Sequence, residues 1–539
     1  MIPLEGDIVR NNYFKYIFIF VVLIIVLVTV FFLYKQKENE ENETVIDQTS
    51  TVSNIQRNLR LAIAGYDTIN PILSNNRNVQ EISKIIYDSL VTLDNEYKMK
   101  YSLAKEVSKV DGVTYLIKLR EDVKWQDSTL FSANDVKFTI DTIKNENVNS
   151  IYKENLKYVT ELNIIDEYTV KIILSQEVPF FEYNLTFPIM SEKYYQNEDF
   201  VSSAKNNKPI GTGMFKIESN ENNLIKLSKN NSYWDVTRDA MIEEVNIMLY
   251  NNIGEVYEAF KMGNVDIINV KSNNISQYIG TIGYNKIEYK SREYDFVAIN
   301  TMHPLLSDSA VRKAINLAID KDNLIATVYG GGYEKSEFPL DYGSWLNAAT
   351  GGQEYDPDGS NQILIDAGWE FKNGKWQKLE DGRYKNLNFS ITVSSEDSVK
   401  IAVAENIATQ LDNIGINVTV RKVSNTNYYE SINNGNFDMI LVSFNNAFSP
   451  NLSTFFDYEN IAGYSNEEVH NIMNEVKNIT DEELLNSKYY RLYEIFVEEV
   501  PYISLYRKKN CVVCNTSLVG NITPNNYNIF HNIEKWYRQ

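Results

Sequence analysis

Hydrophobic residues along this chain recur at two spacings, and the spacing changes from one segment to the next. From Val113 to Leu119 apolar and polar residues largely alternate, which predicts a half-buried strand. Asp111-Gly112 precedes this segment and indicates a tight hairpin turn with positive φ at its centre. From Val136 to Ile143 the apolar residues follow helical spacing. Ser132, with Asp135 three residues on, has the pattern of a capping box and predicts the start of that helix.

Later in the chain, strand and helical spacings alternate through five successive segments. Apolar residues alternate over Leu387–Val393, take helical spacing over Val399–Ile414, and alternate again over Ile416–Val420. A short helix is predicted at Tyr428–Asn434 and a strand at Phe437–Phe444. A strand–helix–strand crossover builds parallel sheet, so this region predicts an α/β architecture.

Other elements follow from shorter patterns. Further strands are predicted at Leu59–Ala64, Tyr168–Leu174, Ile242–Tyr250, Tyr294–Asn300 and Tyr502–Tyr506. Further helices are predicted at Val79–Leu90, after a cap at Ser309, and at Tyr489–Glu499. Hairpin turns are predicted at Asn373-Gly374 and Asp381-Gly382.

Length and charge narrow the class of protein. The chain has 539 residues, enough for two or three domains, and 43% of them are hydrophobic, as in ordinary globular proteins. The net charge of −20 argues against a nucleic-acid partner, because such binders present a basic face. The acidity is compatible with a secreted body but does not identify a ligand.

One segment near the N-terminus is predicted to cross a membrane. Tyr16–Tyr34 carries no charge over 19 residues and is long enough to span the bilayer core. We expect residues 1–15 to form a tail, 16–34 a transmembrane anchor and 35–56 a flexible linker. A cleaved signal peptide is the alternative. Lipid anchoring through an N-terminal cysteine is excluded, because the first cysteine is Cys511.

No catalytic constellation is visible in the sequence. The three histidines are His303, His470 and His531, and none belongs to a nucleophile or metal motif. The chain contains 72 carboxylates, too many for any acid–base pair to be singled out. We therefore expect no enzyme activity, no cofactor and no metal site.

Two short motifs have a structural and a functional interpretation. Gly211 and Gly213 flank Thr212 ahead of a predicted strand, and a tight turn with close backbone approach is favoured over a phosphate loop. Cys511 and Cys514 form C-x-x-C without further ligands. In an extended strand the two side chains point to opposite faces, so buried or surface thiols are favoured over a disulfide, redox or zinc site.

Longer segments resemble a known family. The run LAKEV…DGVTYLIKLREDVKWQDSTLFSANDVKFTI, beginning at Leu103, is similar to the signature of the family 5 extracellular solute-binding proteins, the peptide- and nickel-binding receptors of ABC importers. The stretches PIGTGMFKIESNENNLIKLSKNNSYWD, from Pro209, and SDSAVRKAINLAIDKDNLIATVYGG, from Ser307, resemble later parts of that family in the same order. The resemblance covers roughly Leu59 to Gly520.

The resemblance implies a periplasmic-binding-protein-like two-lobe clamp of α/β class, in the large three-part type II variant, closing around a hinge. The expected parts are lobe I (57–91, 199–296 and 508–539), an inserted second domain (92–198) and lobe II (297–507).

The loop that follows Phe437–Phe444 is the most informative candidate site. Ligands of open α/β sheets bind beyond the carboxyl ends of the strands. In peptide-binding relatives this loop carries a Trp and, three residues later, an Asp that pairs with the ligand's α-ammonium. Phe444 and Ala447 stand at these two positions. The ligand-binding residues we predict are Tyr66, Asp67, Tyr294, Phe444, Asn445 and Asn446.

The function implied by the resemblance is capture of a peptide or peptide-like solute and its delivery to the permease subunits of an ABC importer. The body is expected outside the cytoplasm, on a single-pass anchor in the cell membrane. The alternatives are binding of a nickel chelate or another non-peptide solute, and a receptor used for signalling. A surface hydrolase is disfavoured.

Overall fold

The computed structural model describes residues 55–270, 278, 283–349, 351–352 and 354–539. The predicted anchor, Tyr16–Tyr34, lies outside these residues, as do the predicted tail and all but the end of the predicted linker. Within the described ranges, no helix has both the length and the apolar character needed to cross a bilayer. Arg57–Arg538 form one compact unit.

The strands of the described ranges, in chain order, are β1 (Asn58–Ala64), β2 (Val91–Leu93), β3 (Met99–Tyr101), β4 (Ala104–Lys109), β5 (Thr114–Leu119), β6 (Val159–Asp166), β7 (Thr169–Leu174), β8 (Phe215–Glu221), β9 (Leu224–Lys229), β10 (Glu244–Tyr250), β11 (Ile267–Val270), β12 (Tyr284–Ile299), β13 (Tyr333–Lys335), β14 (Glu370–Lys372), β15 (Lys375–Glu380), β16 (Arg383–Asn386), β17 (Asn388–Ser394), β18 (Asn417–Val423), β19 (Met439–Asn445), β20 (Tyr502–Asn515), β21 (Leu518–Val519) and β22 (Tyr537–Arg538).

The α-helices of the same ranges are α1 (Arg77–Ile86), α2 (Ala133–Lys144), α3 (Glu192–Tyr195), α4 (Ile253–Lys261), α5 (Ser309–Leu317), α6 (Lys321–Leu324), α7 (Pro357–Asp366), α8 (Ser398–Asn413), α9 (Asn425–Asn434), α10 (Ser453–Phe456), α11 (Glu467–Glu475) and α12 (Glu482–Glu499).

Two four-stranded sheets belong to the first part of the chain. One has the order β1-β10-β9-β8, with β1 parallel to β10, and the other is the antiparallel sheet β4-β5-β7-β6. Leu59, Leu61 and Ile63 alternate with partly exposed residues along β1 and are almost fully buried. The inward residues of both sheets share one hydrophobic core with α1 and α2, which explains their alternating sequence pattern.

A seven-stranded sheet organises the second part. Its order is β11-β20-β12-β19-β17-β18, with β13 paired to β20. Strand β17 is parallel to both β18 and β19. Helix α8 connects β17 to β18, and α9 connects β18 to β19. The predicted β-α-β-α-β unit is therefore confirmed.

The longest strands of this sheet, β12 and β20, run antiparallel from Tyr284 opposite Asn515 to Ala298 opposite Tyr502. Their register shifts between Lys290 and Tyr294, and again between Asp295 and Phe296. The predicted lobe boundaries, at 296/297 and 507/508, fall inside these strands and stay predictions. Both strands contribute to cores on either side of the register shifts, so they join the two halves of the body.

Local turn and cap predictions were mostly confirmed. Ser132 and Asp135 form the predicted capping box. Asn373 and Gly374 have φ of 52° and 76°, as a tight hairpin turn between β14 and β15 requires. The cap predicted at Ser309 was wrong by one residue, because the carboxylate of Asp308 accepts the hydrogen bond from the backbone N–H of Ala310.

The turn geometry predicted for Asp111-Gly112 was also wrong, although β4 and β5 do form the hairpin. Neither residue has positive φ. The connection is longer than two residues, and the Asp111 carboxylate accepts hydrogen bonds from the backbone N–H groups of Val113 and Thr114, at 2.9 and 2.8 Å. Hydrogen bonds between the Asp111 carboxylate and the N–H groups of its own turn stabilise this longer connection, so no residue with left-handed backbone is needed at Asp111 or Gly112.

Gly211 and Gly213 allow two backbone segments to touch. A Cβ atom on Gly211 would lie 2.0 Å from the carbonyl oxygen of Ile86, and one on Gly213 would lie 2.5 Å from its carbonyl carbon. The N–H of Gly213 donates to that oxygen at 2.9 Å. The prediction of close backbone approach is confirmed.

Gly211→Ala should destabilise the body by about 1–3 kcal/mol, because the added methyl meets backbone that cannot rotate away. Denaturant unfolding measures the difference. Gly112→Ala is the matched control, since its Cβ would lie 3.8 Å from the Glu177 side chain and no closer to other atoms. Equal unfolding midpoints for the two variants would contradict the close-approach interpretation.

Candidate functional site

A cavity of about 330 Å³ lies where β12 and β20 cross between the halves of the body. We call it the crossing cavity. Its lining comes from α1, from the two crossing strands, from the end of β19 and from the C-terminal segment. The lining residues are Arg77, Gln80, Glu81, Lys84, Ser291, Arg292, Glu293, Asn445, Lys508, Asn510, Asn526 and Tyr527.

Helix α1 presents a polar face to this cavity because its apolar residues lie on the opposite face, in the hydrophobic core. Val79, Ile82 and Ile86 lie on one face and are buried in the core. The four cavity residues of α1 recur at intervals of three, one and three positions, which places them on the opposite face. The amphipathic pattern that anchors the helix therefore also supplies one wall of the site.

The loop after β19 packs an aromatic ring against the cavity wall. The Phe448 ring lies 3.7 Å from the guanidinium carbon of Arg292, stacks on Tyr97 at 5.7 Å between ring centres, and meets Tyr527 edge-on at 5.4 Å. The hydroxyl of Tyr342 donates to the carbonyl of Ala447 at 3.0 Å. These contacts bring residues from distant parts of the chain around one loop.

Arg292 is held in this wall without a counter-charge. Its Nη1 donates to the carbonyl oxygen of Asn446, whereas its Nε is buried and has no hydrogen-bond partner. No ion pair joins Arg292 to a carboxylate of the described residues. Burial lowers the pKa of its guanidinium, because desolvation disfavours the charged form.

Arg507, on the neighbouring strand, shows the opposite arrangement. It is 1% exposed, ion-pairs with Asp341, and donates to the carbonyls of Phe338 and Pro339. Its guanidinium carbon lies 4.6 Å from the ring centre of Tyr294. Arg507 is thus fully satisfied by the protein and serves the packing of the second half.

Of the six predicted ligand-binding residues, Asn445 lines the crossing cavity. Asn446 is buried beside it, with its backbone N–H bonded to the Arg292 carbonyl at 3.1 Å and its Oδ1 without a partner. Phe444 packs between Phe296 and Phe455. Tyr294 is fully buried, and its hydroxyl lies 2.5 Å from the Ser504 hydroxyl.

Tyr66 and Asp67 do not line the crossing cavity. The Tyr66 hydroxyl accepts a hydrogen bond from the Asn220 amide at 3.0 Å. The Asp67 carboxylate accepts from the Ser74 hydroxyl and the Thr68 N–H, both at 2.7 Å, and so is engaged by its own loop. A ligand-binding role for the six residues stays a prediction.

The charged residues of the cavity were not found by sequence reasoning. The one sequence pattern that could have indicated them is the run Lys290–Glu293, four polar residues directly before the buried part of a strand. Such a run is ordinarily a solvated surface, and Lys508 and Lys84 lie in segments that gave no signal at all.

A larger cavity of about 520 Å³ lies between the β4–β5 hairpin and the start of α12. Two of its lysines form ion pairs. Lys98 contacts Glu482 at 2.5 Å, and Lys109 contacts Glu177 at 2.7 Å. Its lining carries as many lysines (Lys98, Lys109, Lys477) as carboxylates (Asp111, Glu182, Glu482) and so has no net formal charge. Size alone does not make it the better site, and we favour the crossing cavity.

Metal and redox chemistry have no visible centre in the described part of the chain. No group of three His, Cys, Asp or Glu side chains there has an arrangement that could hold a metal. Cys511 and Cys514 lie on β20 and enter different cores, as alternation along an extended strand predicts. Burial raises the pKa of Cys514 to about 11.

A buried carboxyl group lies next to the site on β12. Asp295 accepts a hydrogen bond from the Ser443 hydroxyl of β19. Burial raises its pKa to about 7; Glu293 and Asp397 add to the rise, whereas the Ser443 bond and Lys400 oppose it.

Two halves with their own cores, joined by a pair of long strands and enclosing a polar cavity at the crossing, define the class of two-lobe periplasmic binding proteins of mixed α/β content. The chain belongs to the bacterial extracellular solute-binding proteins, family 5, whose middle part matches residues 98–464. The resemblance noted from its sequence motifs is confirmed.

Individual relatives are distant but cover most of the chain. The oligopeptide-binding protein AppA of Bacillus subtilis is 24% identical over 479 residues, 85% of this chain and 87% of that protein. The unliganded open form of the periplasmic murein tripeptide binding protein MppA matches with a TM-score of 0.74 at 17% identity, over 90% of this chain and 99% of that one. A nickel ABC transporter structure from Bacillus halodurans matches with a TM-score of 0.73 at 21% identity, over 87% and 97%.

The variant Asp295→Asn should change how stability depends on pH. The folded wild type keeps the Asp295 proton up to about pH 7, whereas the unfolded chain releases it near its ordinary pKa of about 4. As the pH rises between these values, the contribution of Asp295 to the unfolding free energy of the wild type therefore falls by about 1.4 kcal/mol per pH unit. The variant lacks the titrating carboxyl group and so lacks this loss.

Unfolding free energies measured at pH 5 and pH 7 should thus show the variant gaining about 2 kcal/mol on the wild type. Asp199→Asn, at an exposed carboxylate whose pKa is lowered by a hydrogen bond from Ser202, is the control and should show no such gain. A pH-independent difference for Asp295→Asn would contradict the assignment.

Proposed function

We propose that this protein captures a peptide or peptide-like solute between its two lobes and delivers it to an ABC importer. In this proposal the body faces the extracytoplasmic side and Tyr16–Tyr34 tethers it to the cell membrane. Family membership supports the binding role, and the names of the relatives AppA and MppA support a peptide-type ligand.

The observation that carries the proposal is the polar lining of the crossing cavity between the two halves. The amides of Asn445, Asn510 and Asn526 line it together with that of Gln80 and the hydroxyl of Ser291. An amide side chain offers both hydrogen-bond donors and an acceptor. A peptide-type ligand offers both a carbonyl oxygen and an N–H group, and so complements such a lining.

The ligand is expected to differ from an ordinary peptide at its amino end. Ala447 stands where peptide-binding relatives carry the Asp that holds the α-ammonium. Asp67, the one carboxylate among the six predicted ligand-binding residues, is hydrogen-bonded within its own loop. We therefore favour a solute without a free α-amine.

The crossing strands supply the hinge in this mechanism. The ladder between β12 and β20 is interrupted from Lys290 to Tyr294, so the lobes can rotate there while the rest of the ladder holds each lobe together. A ligand shifts this equilibrium by the extra contacts it makes in the closed state. The importer would then recognise the closed form.

Two other functions are weighed against this one. The likeness to a nickel transporter structure favours a metal chelate as the second candidate. Direct metal ligation at the crossing cavity is disfavoured, because its described lining contains no His or Cys. A receptor that signals and does not transport would use the same clamp.

Native mass spectrometry of residues 54–539 with two mixed peptide pools tests the ligand class. One pool has free α-amines and the other is N-acetylated. We expect stoichiometric complexes with N-acetylated peptides and at most weak retention of the free-amine pool. Retention of free-amine peptides at stoichiometric level would contradict the proposal about the amino end. Nickel bound in place of peptide would favour the chelate.

A further inference from the structure

The cavity of about 520 Å³ beside the β4–β5 hairpin has no role in the transport function proposed above. We call it the hairpin cavity. One wall contains Val107 and Tyr115 of the hairpin, and the facing wall contains Ile479 and Leu485, from α12 and the loop before it. Among the described residues it shares none of its lining with the crossing cavity. More than half of its lining residues are apolar or aromatic, as is usual for small-molecule sites.

Three aromatic rings form one side of the hairpin cavity. They belong to Phe180, Tyr183 and Trp345. The indole N–H of Trp345 donates to the Tyr183 hydroxyl at 3.0 Å, and the Phe180 and Tyr183 rings meet edge-on at 6.3 Å between centres. The ammonium of Lys98 lies 5.1 Å from the Trp345 ring centre. Aromatic faces attract cations, so this side of the cavity favours positive charge.

The backbone at Phe180 is held in a conformation that a bulky residue rarely adopts. Its φ is 56° and its ψ is 40°, in the left-handed region, and the short helix Phe181–Leu185 follows directly. Phe180, Glu182 and Tyr183 all line the cavity as a result of this sharp entry. Strained residues of this kind cluster at ligand sites, because the fold must over-determine them elsewhere.

The cations around the hairpin cavity are already used by the protein. Lys98 pairs with Glu482 at 2.5 Å. The ammonium of Lys109 is held by a carboxylate, a backbone carbonyl and an amide oxygen, all within 3.0 Å. Lys477 donates to the side chain of Asn474 at 3.0 Å. Each of the three ammonium groups therefore has an oxygen acceptor within the protein.

Glu182 is the carboxylate of this lining that the protein leaves without a cation. Glu482 is paired with Lys98, and Asp111 accepts hydrogen bonds from its own turn. Glu182 is half-buried, makes no ion pair in the described ranges, and has its own backbone N–H as a hydrogen-bond donor. Burial raises the pKa of its carboxyl group, and Lys109 opposes that rise.

We propose that the hairpin cavity is a second binding site, which takes a small organic amine with an apolar body. The ammonium group binds the Glu182 carboxylate, and the apolar body packs against the three aromatic rings. A charge-assisted hydrogen bond to a carboxylate and contact with aromatic faces both favour an ammonium over a neutral or anionic group. This site goes beyond the proposed function, because the transported solute is assigned to the crossing cavity.

A ligand in the hairpin cavity would bridge the two halves of the body. Tyr115 belongs to the core of the first half and Leu485 to a core of the second. The walls already touch directly, since the backbone N–H of Trp345 donates to the Glu96 carbonyl at 2.9 Å. An amine that contacts both walls favours the conformation in which they lie together. It therefore acts as an effector that stabilises the closed clamp, and this coupling, unlike the site itself, rests on the proposed function.

Isothermal titration calorimetry of the full-length protein tests the site with phenethylamine as the probe. Phenethyl alcohol and phenylpropionate are the neutral and anionic counterparts of similar shape. We expect the amine to bind at least about tenfold more tightly than either, because hydrogen bonds to charged groups contribute more than neutral ones. Equal affinity for the amine and the alcohol would overturn the proposal.

Glu182→Gln should lower the affinity for phenethylamine roughly tenfold and leave that for phenethyl alcohol unchanged, since it removes the charge and keeps the shape. Asp111→Asn is the matched control, because it removes a carboxylate of the same lining that is engaged by its own turn. It should bind the amine as the wild type does. Trp345→Leu, at a half-buried position, should weaken amine binding and gives a second test if Glu182→Gln does not fold. Unchanged amine affinity in both Glu182→Gln and Trp345→Leu would overturn the site.

Native mass spectrometry with the N-acetylated peptide pool then tests the coupling. Saturating phenethylamine should raise peptide retention by the wild type about fivefold or more, as is typical of coupled sites, and should not raise it for Glu182→Gln. Amine binding without any change in peptide retention would overturn the coupling. Amine binding by a protein that retains no peptide, with or without the amine, would support the second site and overturn peptide capture.

Discussion

The hydrogen-bonded ladder between β12 and β20 is the constraint on which the rest of the structure depends. These strands extend the sheet of the second half and also reach into the cores of the first. Backbone hydrogen bonds within a buried sheet cannot be released without leaving unsatisfied groups, so the ladder ties the two strands together on both sides of the interruption. The pairing is interrupted between Lys290 and Tyr294, and the crossing cavity lies at that stretch.

Whether a charged side chain is paired by the protein differs between the packed core and the crossing cavity. Buried arginines that serve packing, such as Arg507, are matched by carboxylates and carbonyls supplied by the fold. The net negative charge of the chain gives no ligand preference by itself. The cavity departs from both patterns, because it concentrates cations that the protein leaves unmatched. This contrast, and not the size of any cavity, separates the candidate site from the remainder of the surface.

Local chemistry explains which parts of the fold were predictable from the sequence. The capping box at Ser132, the hairpin turn at Asn373-Gly374 and the crossover unit from β17 to β19 follow from residues close together in the chain. The errors at Asp111 and Asp308 are also local, because aspartate carboxylates bonded to nearby N–H groups in ways that competed with the predicted geometry. Family resemblance supplied the two-lobe class, which local patterns alone do not determine.

The site was predictable only in part, because pairing between charges depends on long-range neighbours. Asn445 was found from the position of its loop after a strand, whereas Arg292 and Lys508 are 216 positions apart in sequence and line one cavity only because β12 and β20 lie side by side. The unmatched guanidinium is itself part of the interrupted segment from Lys290 to Tyr294. Ser291, Arg292 and Glu293 of this segment also line the crossing cavity, so a solute held there would lie against the same short piece of backbone in which the strand pairing is interrupted.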